Sequence, residues 1–176
     1  FDLATLTIID QKSFKTHSGQ GWGLTFDGTH LIASDGSSMI TRFELPNVQG
    51  SVANPKGSFG SNFASMMDRP DTLKRVSQVT VTRNGVPVRL VNELEFVHGF
   101  LYANIWYKDE IIKIDPESGV VVETIDMSDL WPKRDRDAHA DCFNGIAYNA
   151  SDDSFVVTGK LWPKFHNVKF SRTINR

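Results

Sequence analysis

The sequence predicts an all-β chain, on three observations. Apolar residues alternate with polar ones or form short runs, and no segment sustains the helical period of an amphipathic α-helix. Hairpin-type dipeptides, Asp27-Gly28, Asn84-Gly85 and His98-Gly99, punctuate the runs. One order of turn, apolar strand, polar or aromatic cluster and second strand recurs, centred on Leu31-Ile32-Ala33-Ser34, Leu101-Tyr102-Ala103-Asn104 and Val156-Val157-Thr158-Gly159.

Taken in order, residues 3–10 are β-branched and apolar and read as a strand. Residues 19–26 are dense in glycine where a strand begins, which lets the backbone pass close to a neighbour. Strands follow at 31–34 and 39–45. Between them lies Asp35-Gly36-Ser37-Ser38, with Asp35 read as a turn residue that caps its own backbone. Residues 47–73 hold Gly, Ser, Asn and Pro, with Met66-Met67 as the concentrated apolar pair; they read as a long loop or insertion with a helical turn near 63–67. Regular pattern resumes at 75–82 and passes into a hairpin over 91–106. Strands are expected at 111–115 and 120–125, a short helical turn at 127–130, a charged loop at 133–137, and strands at 143–148, 154–158 and 165–170.

Without the insertion, the repeated unit is roughly 45 to 55 residues, the length of a four-stranded propeller blade. Propellers stack such sheets around a central channel. Blades are expected over about 16–83, 84–128 and 137–171. Three blades do not close the usual ring of about four to eight. The 176 residues are therefore expected to be a partial single domain, the C-terminal part of a longer propeller. The chain is 40% hydrophobic and 11% aromatic, enough for a core. Its net charge of -2, from 19 basic and 21 acidic residues, gives no reason to expect nucleic acid or an anionic membrane as partner. Cys142 is the single cysteine, so an internal disulfide is impossible. Asn149-Ala150-Ser151 matches the glycosylation acceptor pattern and carries the expectation of a secretory route.

The stretch 91–106, V-N-E-L-E-F-V-H-G-F-L-Y-A-N-I-W, concentrates residues an ordinary hairpin does not need. Asn92 has a donor and an acceptor that could fix an amide or amine in one pose. It also reads as a strand-start Asn that bonds its own backbone. Trp22 and Trp106 could form flat, water-excluding walls. Trp131 and Trp162, each followed by a proline, read as packing at a blade edge. Lys160, between Gly159 and Leu161-Trp162-Pro163, reads as a confined ammonium able to donate to an oxyanion, or as a surface lysine. Glu93 and Glu95 read either as groups titrating near a pocket or as a solvated face or inter-blade ion pair. The five histidines show no close metal-ligand spacing, and neither metal nor other cofactor is expected. A Ser-His-Asp set, a phosphate loop and a cysteine nucleophile motif are not seen; Cys142 beside Phe143 reads as buried packing.

Six motifs occur in one order: Gly21-Trp22-Gly23-Leu24-Thr25, Ser34-Asp35-Gly36, Asn92-Glu93-Leu94-Glu95, Ala103-Asn104-Ile105-Trp106, Asn144-Gly145-Ile146-Ala147 and Thr158-Gly159-Lys160-Leu161-Trp162-Pro163. Together they resemble the plant and bacterial type of glutaminyl-peptide cyclotransferase, over nearly the whole chain except the insertion. The resemblance implies a five-bladed propeller that converts N-terminal glutamine of peptides or proteins to pyroglutamate and releases ammonia. It implies that Lys160 and Asn92 are catalytic and that Trp22 and Trp106 bind substrate. It also implies that the general acid/base glutamate lies in an earlier blade, so the upstream part of the same propeller is an expected partner. Where the family usually has an acidic residue before Gly-Trp-Gly, this chain has Gln20. Two other readings stand beside this one. A non-catalytic propeller could keep the pocket as a binding module. A metal-binding propeller lactonase would draw on Asn92, Asn144 and Glu93, which the motif order fits poorly.

Overall fold

The computed structural model describes residues 4–8, 11–45 and 72–170. They form three antiparallel sheets and a two-stranded ribbon, with no α-helix among the described residues. The first sheet is a meander of β1 (Leu24–Phe26), β2 (His30–Ser34), β3 (Met39–Glu44) and β4 (Arg75–Thr80). The ribbon is β5 (Thr82–Arg83) and β6 (Val86–Pro87). The second sheet holds β7 (Val91–Val97), β8 (Phe100–Ile105), β9 (Glu110–Ile114) and β10 (Val121–Asp126). The third holds β11 (Phe143–Asn149), β12 (Ser154–Gly159) and β13 (His166–Val168).

The tight turns follow from residues that accept a left-handed backbone. His98 and Gly99, at φ 49° and 83°, join β7 to β8 with Val97 opposite Phe100. Asn84 and Gly85, at φ 53° and 77°, do the same for the ribbon. Such paired positive φ values suit the twist of a two-residue hairpin.

In the middle sheet β8 and β9 are buried on both faces, which explains their near-continuous apolar runs. Along β8, Leu101, Ala103 and Ile105 pack with Ile32, Ile40 and Val81 toward the first sheet. Tyr102 packs with Phe143, Phe155 and Val157 toward the third. Each fully buried Ile or Leu side chain is worth about 1.5–3 kcal/mol relative to exposure.

Neighbouring sheets are also latched by a repeated hydrogen bond. Thr25 Oγ1 accepts the Phe96 N–H at 3.1 Å, and Glu95 Oε1 accepts the Tyr148 N–H at 2.9 Å. In register, Thr25 follows Leu24 as Glu95 follows Leu94, and Leu24 and Leu94 pair with Ala33 and Ala103. The two latches are thus one contact made twice. Glu95 is neither a solvated face nor half of an ion pair.

Three expectations are corrected. Residues 4–8, within the strand expected at 3–10, form a turn and coil, with Leu6 and Ile8 exposed; the remainder of that stretch is not described. β-branched residues make a strand only where a neighbour completes the ladder. The helical turn expected at 127–130 is a hydrogen-bonded turn in which Leu130 N–H donates to Met127 O at 3.1 Å. One 3-10 turn falls instead at Lys133–Asp135, inside the expected charged loop. Of the expected insertion, only Thr72 and Leu73 are described. Thr72 bridges to Ser13, and Leu73 is buried against Ala33 and Phe43. The turn expected near 63–67 lies outside the described residues.

Candidate functional site

Each sheet opens with the same irregularity. In the second sheet Val91 pairs with Ile105 and Leu94 with Ala103, so Asn92 and Glu93 together face Asn104. In the third, Phe143 pairs with Gly159 and Ile146 with Val157, so Asn144 and Gly145 face Thr158. In the first, Trp22 N–H donates to Ser34 O and Ser34 N–H to Gly23 O, each at 3.0 Å, just before Leu24 meets Ala33. These are β-bulges, two residues opposite one, a device that re-aims side chains. Trp22, Asn92 and Asn144 are each the first residue of their bulge.

The bulges lie beside a second set of equivalent positions, in the turns that leave β2, β8 and β12. Asp35, Trp106 and Lys160 each precede a residue at positive φ: Gly36 at 76°, Tyr107 at 64° and Leu161 at 59°. Backbone bonds tie these turns to the bulge end of the fold. Leu90 N–H donates to Gly36 O, Trp106 N–H to Leu90 O, and Lys160 N–H to Cys142 O, all at 2.9 Å.

At this end the two predicted tryptophans meet. The rings of Trp22 and Trp106 stand edge to face at 5.1 Å and 82°. Lys160 Nζ lies 5.8 Å from the Trp106 ring centroid, within cation–π range. Trp22 is seated against Gly36, where an added Cβ would come within 2.5 Å of the indole. Its Nε1–H donates to Gln20 Oε1 at 2.8 Å, so the amide at position 20 supplies the acceptor that a carboxylate would. Trp106 Nε1 is buried and has no hydrogen-bond partner.

Asn92 is buried, and its backbone carbonyl is clasped from the first sheet. Ser34 Oγ donates to Asn92 O at 2.5 Å while accepting the Gly23 N–H at 2.8 Å. Gly23 is required here, since any Cβ would collide with that same carbonyl. Lys160 is exposed rather than confined.

Glu93, the second bulge residue, has a raised pKa. Burial lifts it first and the charge of Glu95 adds to that, bringing it to about 7. Asp35 moves the other way. Burial opposes its ionisation, but hydrogen bonds from Ser37 and from Ser18, the latter N–H at 2.6 Å, outweigh that and hold it below the usual carboxylate range. Asp35 thus caps its own turn and pins the segment that leads to Trp22.

Asn104 is not among the expected site residues and Asn144 enters only through the lactonase reading, although both lie at this end. Asn104 is fully buried. Its Oδ1 accepts the Gly145 N–H at 2.9 Å, and its Nδ2 has no partner. Asn144 Oδ1 is likewise buried and unpaired. The available signal was the repeat itself, since Asn144-Gly145-Ile146 stands where Asn92-Glu93-Leu94 stands. Trp131 and Trp162 pack edge to face on each other at 4.9 Å. Among the described residues no group of three or more His, Cys, Asp or Glu is placed to hold a metal ion.

Repeated antiparallel sheets with amide, indole and ammonium groups gathered at one set of strand ends define a β-protein with a polar, aromatic-walled candidate binding site. A sequence profile of the glutamine cyclotransferase family matches residues 1–52 and 56–170. The chain belongs to that family. It is 33% identical over 174 residues to a glutaminyl-peptide cyclotransferase of Arabidopsis thaliana, covering 98% of this chain and 46% of the relative. The crystal structure of Myxococcus xanthus glutaminyl cyclase superposes with a TM-score of 0.65 at 34% identity, covering 88% of this chain and 57% of that one. The chain thus spans about half the length of these relatives.

Proposed function

We propose that this chain forms part of an enzyme that converts N-terminal glutamine of peptides to pyroglutamate with release of ammonia, an acyl transfer to the substrate's own amine. The observation that carries the reading is the convergence of Trp22, Trp106 and Lys160 at the strand ends that also present Asn92. Family membership supports it. We further propose that the three sheets are consecutive blades of a five-bladed propeller, completed by upstream sequence of the same protein. Their side-by-side latches and equivalent bulges support that architecture.

In the reaction the neutral α-amine nitrogen attacks the side-chain carbonyl carbon, and a ring C–N bond forms. The bond to the carboxamide nitrogen then breaks, and ammonia leaves with the proton shed by the attacking amine. Because the attack is intramolecular, orientation and proton transfer are the protein's main contributions. Trp22 and Trp106 hold the glutamine methylenes and exclude water. Asn92 orients the substrate's amide or amine. Lys160 donates to the developing oxyanion. The proton carrier is proposed to be a carboxylate in the upstream blades. Glu93, whose carboxyl titrates near neutrality, is the candidate within this chain. Indole and ammonium groups do not ligate metal ions, so the chemistry is proposed to be metal-free. A secretory location is part of the proposal. Asn149-Ala150-Ser151 lies at the β11–β12 turn, with Asn149 Oδ1 accepting the Ser151 N–H at 3.1 Å, an accessible setting for a glycan.

The test is ammonia release from a glutamine-initiated dipeptide by the full-length protein, with and without a chelator. Turnover is expected in both conditions, falling about a hundredfold in Lys160→Ala, the cost of one lost oxyanion donor. Trp106→Ala should also be impaired. Peptide binding without turnover would replace the enzyme by a binding module. Loss of turnover on chelation would overturn the metal-free chemistry.

A further inference from the structure

Two of the three equivalent turns present a large apolar side chain to solvent from a left-handed backbone. Tyr107 is 60% exposed at φ 64°, and Leu161 is 77% exposed at φ 59°. Side chains other than Gly, Asn and Asp pay a strain cost for that conformation, and such outliers gather at ligand clamps. The third turn solves the same geometry with Gly36, and there the Trp22 ring fills the space. Strain retained where apolar surface is exposed, beside two residues of the candidate site, needs an explanation that packing among the described residues does not give.

Continuity with the site supplies one. The Tyr107 ring stacks on the Trp106 ring at 4.5 Å and 29°, so the aromatic wall runs outward without a break. Beyond it opens a cleft of about 390 Å³ in which Tyr107, Ala140 and Cys142 stand beside the charged Asp109, Arg136 and Asp141. Leu161 follows Lys160, whose ammonium lies over Trp106. Each of the two apolar residues therefore directly follows, along the chain, one partner of the Trp106–Lys160 contact. An extended peptide advances roughly 3.3–3.6 Å per residue. A first residue placed at Trp106 thus brings the second near Tyr107.

We propose that Tyr107 and Leu161 form a rim that binds the residue following the N-terminal glutamine, selecting substrates whose second residue is apolar or aromatic. This rests on the cyclisation reading above. The experiment compares Gln-Gly, Gln-Ser and Gln-Phe amides as substrates of the full-length protein and of Tyr107→Asn, Tyr107→Ala and Leu161→Ala. Asn tolerates a positive φ, so Tyr107→Asn keeps the turn. Wild type should prefer Gln-Phe over Gln-Gly by about tenfold in kcat/KM, carried by KM, the discrimination expected of one apolar contact. The variants should lose most of that preference, the loss falling on KM for Gln-Phe while Gln-Gly changes least. A merely structural role would lower all three substrates together. Equal wild-type kcat/KM for the three amides, or a uniform loss in the variants, would overturn the rim. Turnover of none of them by wild type would instead overturn the cyclisation reading, and the rim with it.

Discussion

Glu93→Gln should flatten the dependence of stability on pH between about 4.5 and 7. Glu93 sits second in the bulge of β7, part-buried, with Glu95 two residues on, and its carboxyl is raised from 4.5 to about 7 by burial first and by that charge second. Below 4.5 both folded and unfolded chains hold the proton, and the group costs nothing. Between 4.5 and 7 the unfolded chain ionises while the folded chain still holds its proton, so stability falls as pH rises. Above 7 the full loss has accrued. One pKa unit is worth about 1.4 kcal/mol. With the side chain only part-buried, solvent screening leaves roughly half of the shift, about 1–2 kcal/mol. His166 has the opposite sign, since burial first and Lys164 second lower its pKa, so its contribution is lost as pH falls. It acts equally in both proteins and cancels in the comparison. The assay is urea unfolding at about pH 5 and about pH 8, fitted with a shared slope. Glu93→Gln should gain about 1–2 kcal/mol on wild type at the higher pH and little at the lower. Parallel pH profiles in the two proteins would refute the assigned burial and charge coupling.

Gly36→Ala should destabilise by about 1–3 kcal/mol, combining a left-handed alanine with a Cβ that must displace the Trp22 ring. Gly28→Ala, at φ 95° with nothing within 4 Å, should show the backbone cost alone, and unfolding with tryptophan fluorescence separates the two. Glu95→Ala leaves the Tyr148 N–H without its acceptor and should cost about 1–3 kcal/mol, whereas Glu95→Gln keeps the oxygen and should cost under about 1 kcal/mol; equal losses by denaturant unfolding would show that the latch does not act through that oxygen.

Most of the sheet structure was readable from the sequence, because strand burial leaves a period-two imprint. In Phe100–Ile105 successive side chains enter two different cores, and the run reads as continuously apolar. Trp22, Asn92, Trp106 and Lys160 stand in the family's motifs rather than in any local pattern, and the fold brings Trp22, Trp106 and Lys160 together. The bulge was not readable. Val91 and Leu94 stand three apart, an odd spacing, yet pack in the same core, because Asn92 and Glu93 together occupy one ladder position. Strict alternation therefore linked Glu93 with Glu95 as one polar face. In the fold Glu95 reaches the third sheet, and Glu93 stays at the bulge. The exposure of Lys160 depends on what packs over its turn, and the apolar run at 3–10 depends on a partner strand. Neither is written in local pattern.

The first bulge position has no paired residue of its own across the sheet. Its side chain can be an indole at 22 or a carboxamide at 92 and 144 while the flanking pairs keep the same register. The scaffold thus offers interchangeable sockets whose contents do not govern how the strands align. A designer could rewrite the pocket socket by socket, exchanging Trp, Asn or another side chain, and expect the new chemistry to arrive without a new fold.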